Sequence, residues 1–137
     1  MGRILAIDFG LKRTGLAVTD PEKIIATPLA VVRSEDCVQF LRDYIEKETV
    51  ETIVIGLPVD LRGRETHATG PVKKFITNLE KIFPEIPIHT IDERFTSKMA
   101  LDTMIMAGSK KKDRRDKGNI DKISATIILQ SYLEQNS

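Results

Sequence analysis

Cysteine is nearly absent from this chain: Cys37 is the only one in 137 residues. A single thiol forms no internal disulfide. Together with the lack of a signal-peptide pattern, this points to the reducing cytosol. Tryptophan is missing, and aromatic residues make up 5% of the chain. A stacking platform for single-stranded nucleic acid is therefore not expected as the main binding device. One cysteine and two histidines do not assemble a structural zinc site. Any metal must be held by carboxylates, which selects hard ions such as Mg²⁺ or Mn²⁺. No apolar run approaches the roughly 20 residues that span a bilayer, so no membrane partner is expected. The net charge is only +1, so nucleic acid would have to be held by a local patch.

What is present suits one soluble domain over residues 1–137. Hydrophobic residues make up 41% and charged residues 30%. A chain of this length buries roughly two-thirds of its unfolded surface and needs no covalent staples. The one strongly basic segment runs from Lys110 to Lys117. Lys110, Lys111, Lys112, Arg114, Arg115 and Lys117 stand there against Asp113 and Asp116, a local net of +4.

The apolar pattern predicts three short strands first. Residues 3–9 are almost continuously apolar, as in a strand buried on both faces. A turn at 10–13 leads to a strand at 14–19, and a turn at Asp20-Pro21-Glu22-Lys23 leads to a third at 24–32. Tight turns between them make an antiparallel meander. The period then changes. Ser34 is placed to cap a helix at 35–48 carrying Val38, Leu41 and Ile45 on one face. A buried strand at 52–56 follows, then a long loop over 56–70. Gly70-Pro71 opens the next helix, with proline at its first position. Its stripe is Val72, Phe75, Ile76, Leu79 and Phe83. A strand at 87–92, a helix at 97–107, the basic loop and a last helix at 119–134 complete the order. Strand–helix–strand crossovers imply parallel neighbours among the later strands. The fold class is therefore α/β, a mixed five-stranded sheet with three antiparallel strands, then parallel ones, flanked by helices.

Chemistry concentrates in acids at one edge of that sheet. Asp8 sits near the end of the most apolar strand, where a charge is costly unless something pairs with it. Gly10 and Gly15 flank it and let a ligand approach the backbone. Asp92-Glu93-Arg94 ends the fifth strand at the same edge. Alternation sends Asp92 and Glu93 to opposite faces without saying which faces inward. Asp121 opens the last helix, followed by the small residues Ser124 and Ala125 that let a helix lie close to a sheet. Asp116 is a second candidate nearby. An acid in a first helical turn also favours the helix dipole without any function. Converging carboxylates repel unless a cation neutralises them. Two divalent ions about 4 Å apart, sharing Asp8, would activate a water and stabilise the leaving 3′ oxygen of a phosphodiester. The basic loop would hold the nucleic-acid backbone, with strong salt dependence and little sequence reading. Arg62 and Arg64, in the long loop at the same edge, are further phosphate contacts, and Arg94 is another. Asp-Phe-Gly at 8–10 is no kinase signal, since the other kinase motifs are missing. Cys37 reads as inert, and His67 and His89 as surface or structural residues.

Ala6-Ile7-Asp8-Phe9-Gly10 with Thr14-Gly15-Leu16-Ala17, Ile55-Gly56-Leu57-Pro58, Asp92-Glu93-Arg94-Phe95-Thr96-Ser97 and the late Asp121 together resemble the YqgF (RuvX-like) family. The resemblance covers essentially the whole chain. It implies an RNase H-like fold and metal-binding, catalytic roles for Asp8, Glu93 and Asp121, favouring Glu93 over Asp92. Members of that family have been described as Holliday-junction resolvases and as nucleases maturing the 5′ end of pre-16S ribosomal RNA. The second description is the stronger for bacterial members and places the chain in ribosome biogenesis. Ser124 stands where the family has alanine and Asp60 where asparagine is common. Neither touches the metal set. The expected partner is structured RNA, or branched DNA in the resolvase reading, and the expected state is monomer or homodimer. A non-catalytic RNA- or ribosome-binding module is a third reading. A phosphate loop like that of actin-like and sugar-kinase ATPases is a fourth, disfavoured because those proteins need two such domains.

Overall fold

A computed structural model describes residues 2–58, 62, 64–92 and 117–135, with side chains in the last segment from 123 onward. Strands β1 (Arg3–Phe9), β2 (Arg13–Thr19) and β3 (Ala26–Arg33) come first. Helix α1 (Cys37–Lys47), strand β4 (Val50–Leu57), helix α2 (Thr69–Ile82), strand β5 (Ile88–Asp92) and helix α3 (Lys117–Gln135) follow. The sheet order is β3-β2-β1-β4-β5. β1 is antiparallel to β2 and parallel to β4, and β4 is parallel to β5. The expected mixed five-stranded sheet is thus present. The expected helix at 97–107 and the loop before α3 lie outside the described residues.

β1 occupies the middle of the sheet because both of its faces are apolar. Leu5 and Ile7 point to one side, where they pack with Leu16, Ile53 and Ile55 and with Leu41 of α1 and Val72, Phe75 and Leu79 of α2. Ile4 and Ala6 point to the other, where they meet Ala17, Val54 and Ile91 and then Ala125, Ile128 and Leu129 of α3. The described residues therefore form three layers: two helices, the sheet, one helix. Each fully buried Leu or Ile contributes roughly 1.5–3 kcal/mol. Ala6, Ala17 and Ala125, all with 0% exposure, keep the α3 side thin, so that helix lies close to the strands.

Three local expectations are corrected. Ser34 does not cap α1. Its hydroxyl donates to the carbonyl of Gly10 and shares a 2.8 Å hydrogen bond with Thr14 Oγ1, while its N–H donates to Lys12 O at 3.0 Å. A 3-10 turn over Ser34–Asp36 intervenes, and α1 begins at Cys37 with no side-chain cap. β3 starts at Ala26 rather than 24 because Asp20 holds the turn open. Its carboxylate accepts the N–H groups of Ile24 at 2.8 Å and Ile25 at 2.7 Å. Lys23 is held there at φ 62°, a left-handed conformation that non-glycine residues seldom adopt. α2 starts two residues earlier than Pro71, at Thr69. The proline still sits in the first turn, where its missing N–H costs no helical bond.

Thr69 anchors that helix. It is fully buried; its hydroxyl donates to Pro58 O and accepts the N–H of Thr66 at 2.8 Å. Thr69→Val keeps the shape and strands both partners, so chemical denaturation should show a loss of about 1–3 kcal/mol. On α1, burial pushes the Cys37 thiol up to about 12. The thiolate is the reactive form, so the native protein should not react with a thiol reagent at pH 8 and should react promptly in urea.

Candidate active site

The parallel set β1, β4 and β5 brings three strand ends to one edge, the place where ligands bind in open α/β sheets. Asp8 is the penultimate residue of β1. By alternation it shares the α3 face with Ile4 and Ala6. It is half-buried. Its register partner on β2 is Gly15. On β4, Ile55 pairs with Ile7, which brings Gly56 alongside Asp8. The carboxylate thus stands between two strands that carry no side chain at its level.

Asp92 behaves differently. It ends β5 opposite Leu57, and Leu57 packs into the α1/α2 core. Ile91, one residue earlier, belongs to the α3 layer. Asp92 therefore lies on the face away from Asp8, and its side is settled here as the sequence could not settle it. Glu93 and Arg94 lie outside the described residues.

Helix α3 runs opposite to β1. Tyr132, near its C-terminal end, meets His89 at the start of β5 with ring centroids 5.8 Å apart. Tyr132 and Leu133 also line a hollow with Ile4 and Thr52, near the starts of β1 and β4. The N-terminal turns of α3 consequently lie toward the strand ends that include Asp8. Asp121 is the fifth residue of this helix. It precedes the buried Ala125 and Ile128 by one and two turns, so position 121 belongs to the sheet-facing side of the helix. Its side chain is not described. Among the described residues, no three His, Cys, Asp or Glu side chains gather as a metal-holding group.

Arg62 and Arg64 are exposed on the loop that leaves the carboxyl end of β4, at the same edge. Lys110, Lys111, Lys112, Arg114 and Arg115 fall outside the described residues. The edge holds further cations that the sequence did not single out. Arg13 and Arg33 are register partners on β2 and β3. They line a hollow with Leu11, Lys12 and Glu35, and Arg33 makes an exposed ion pair with Glu35 at 3.4 Å. The sequence signal that could have found them is the pair Lys12-Arg13 directly after Gly10-Leu11; in the structure Leu11 is 76% exposed at the tip of that turn. That turn is rigid. Gly10 packs so tightly that a Cβ there would collide with Arg13 O, and its own carbonyl takes the Ser34 hydroxyl.

Residues 2–135 match the family model described as "RuvX: Holliday junction resolvase". Curated relatives carry the name "Putative pre-16S rRNA nuclease". The protein from Amoebophilus asiaticus is 52% identical over 97% of this chain and 94% of its own length. That from Flavobacterium psychrophilum is 52% identical over 97% of each chain, and that from Porphyromonas gingivalis 52% identical over 98% and 97%. Among solved structures, Thermus thermophilus RuvC in complex with a Holliday-junction substrate superposes with a TM-score of 0.61 over 97% of this chain and 96% of its own. At 14% identity that likeness concerns the fold, which is RNase H-like. The chain belongs to the RuvX family and is a nuclease of RNase H-like fold.

Proposed function

We propose that Asp8, Glu93 and Asp121 form the catalytic centre of a metal-dependent phosphodiester hydrolase acting in 5′-end maturation of pre-16S ribosomal RNA. The observation that carries this reading is the setting of Asp8: a carboxylate at the carboxyl edge of the central strand, facing α3 between Gly15 and Gly56. Glu93 enters the set through the family resemblance and lies outside the described residues. Position 121 lies on the sheet-facing side of α3, toward the same edge. The substrate assignment is supported by the names of the relatives that share 52% of their residues with this chain.

An all-carboxylate donor set fits Mg²⁺ or Mn²⁺. Two such ions supply activation of the attacking water and neutralisation of the leaving 3′ oxygen. The chain's own contribution is positional. Asp8 stands on the central strand, which is packed on both faces, and the glycines beside it leave room for a phosphodiester to approach. Arg62, Arg64, Arg94 and the Lys110–Lys117 segment hold the nucleic-acid backbone, which fixes the strand without reading its sequence. The protein acts as one domain in the cytosol. No described helix is long and apolar enough to cross a membrane.

The second reading keeps the same residues and changes the substrate to a four-way DNA junction. It is favoured by the description of the family model. It requires a symmetric dimer, because two strands must be cut in register.

Both readings are tested by offering a 5′-extended small-subunit rRNA precursor and a four-way DNA junction side by side with Mn²⁺ or Mg²⁺. Cleavage of the RNA alone is expected. Asp8→Asn should lower the rate by roughly two orders of magnitude or more, the scale of losing one electrostatic stabiliser, with an unchanged circular dichroism spectrum. Asp92→Asn, on the opposite face, should retain cleavage. Full activity in Asp8→Asn overturns the site, and cutting of the junction alone reverses the substrates. Replacing Lys110, Lys111 and Lys112 with alanine should flatten the dependence of log Kd on log salt by about 0.7–0.9 per lost phosphate contact.

A further inference from the structure

On the α2 side of the same edge, an open hollow of about 640 Å³ is lined by Phe9, Leu11, Pro71, Lys74, Phe75 and Asn78. Its volume is in the range of small-molecule sites, roughly 300–1,000 Å³. Its chemistry is divided. Phe9 and Phe75 are stacked with centroids 4.2 Å apart and planes 18° from parallel; with Pro71 and Leu11 they give apolar walls. Lys74 and Asn78 are exposed at its rim. Leu11 is also a wall of the neighbouring basic hollow, which is lined, among the described residues, by Lys12, Arg13, Arg33 and Glu35.

Two adjoining hollows, one apolar with a hydrogen-bonding rim and one cationic, repeat the alternation of a nucleic-acid strand. A nucleobase has an apolar face and a polar edge, and the phosphate beside it is an anion. Phe9 directly follows Asp8 and faces the other side of the sheet, so a strand that rounds the sheet edge at the end of β1 would meet both the hollow and the proposed centre. We infer that the hollow beside Phe9 and Phe75 receives one unpaired nucleobase of the substrate next to the scissile phosphate, while Lys12, Arg13 and Arg33 hold the adjoining phosphate. Asn78 faces the base edge, and Leu11 divides base from phosphate. The slot takes one base, so it does not need the aromatic-rich surface that the composition rules out. The inference deepens the nuclease reading and rests on it: the substrate is single-stranded for at least one nucleotide beside the cut.

Gly70 supplies a clean test. It lines the hollow, and a Cβ there would meet nothing within 4 Å, so a larger side chain can fill the space without displacing the core. Binding of a short, end-labelled single-stranded RNA to full-length protein carrying Asp8→Asn is measured by fluorescence anisotropy. An abasic residue is moved one position at a time along the RNA. One position should matter: losing that base should weaken binding roughly tenfold, the scale of one stacked base. Adding Gly70→Leu or Leu11→Ala should abolish that penalty, with thermal melting confirming the fold. The inference is overturned if no position is sensitive, if both variants keep the penalty, or if the RNA does not bind. It is also overturned if Leu11→Ala changes the sedimentation mass and leaves base sensitivity untouched, since the hollow would then seat a second copy of the chain. The nuclease reading fails separately, by an absence of metal-dependent cleavage in the wild-type protein while the abasic penalty persists.

Discussion

Everything in this structure depends on burying β1 on both faces at the centre of the sheet. Leu5 and Ile7 are sealed by α1 and α2, Ile4 and Ala6 by α3. A strand with apolar side chains in both directions can sit nowhere else, because an edge or a solvent-facing layer would expose half of them. Once β1 is central, β2 and β4 must flank it, and its carboxyl end opens at the middle of an edge shared with β4 and β5. Arg3 and Asp8 are the charged residues of that strand, one near each end, and the position of Asp8 at the carboxyl end keeps it within reach of solvent and substrate.

The edge itself is held by polar contacts rather than by bulk. Ser34 ties the end of β3 to the turn after β1 through Gly10, Lys12 and Thr14. Thr69 ties α2 to the segment leaving β4 through Pro58. These contacts cross between elements far apart in sequence, so they fix the turns that frame the site. The far end of the sheet is held in the same way: Arg3 Nη1 donates to Thr19 O and Ile4 N–H to Thr19 Oγ1, both at 2.9 Å, beside the half-buried pairs of Lys23 with Glu51 at 2.6 Å and Arg3 with Glu48 at 3.3 Å. Polar contacts thus pin both ends of the sheet.

Two faces of one edge divide the work. Asp8 points toward α3, where a carboxylate set would form. Phe9, the next residue, points toward α2, where the apolar hollow lies. A single strand ending thereby offers a carboxylate on one side and an aromatic ring on the other, from adjacent residues, because successive side chains in a strand alternate. The glycines at 15 and 56 matter for the same reason, since they empty the positions on either side of the acid.

The sequence by itself determined the elements and most of their order. Continuous apolarity marked β1 as central, helical spacing marked α1 and α2, and the acids at positions 8, 93 and 121 stood out as candidates. It also left open whether Asp92 or Glu93 turned inward, and only pairing decided that Asp92 faces away, because register with Leu57 fixes a parity that local pattern does not. Ser34 read as a helix cap because a serine before an apolar helix is a local signal. The tertiary structure gave its hydroxyl a better offer in Gly10 and Thr14, residues more than twenty positions earlier or nearly so. The start of β3 shifted for a similar reason, as Asp20 captured the N–H groups of Ile24 and Ile25. The hollow beside Phe9 was invisible beforehand, since its walls come from the β1–β2 turn and from α2. Local propensity and periodicity are properties of neighbours in the chain; register, side-chain capture and cavities are properties of neighbours in space.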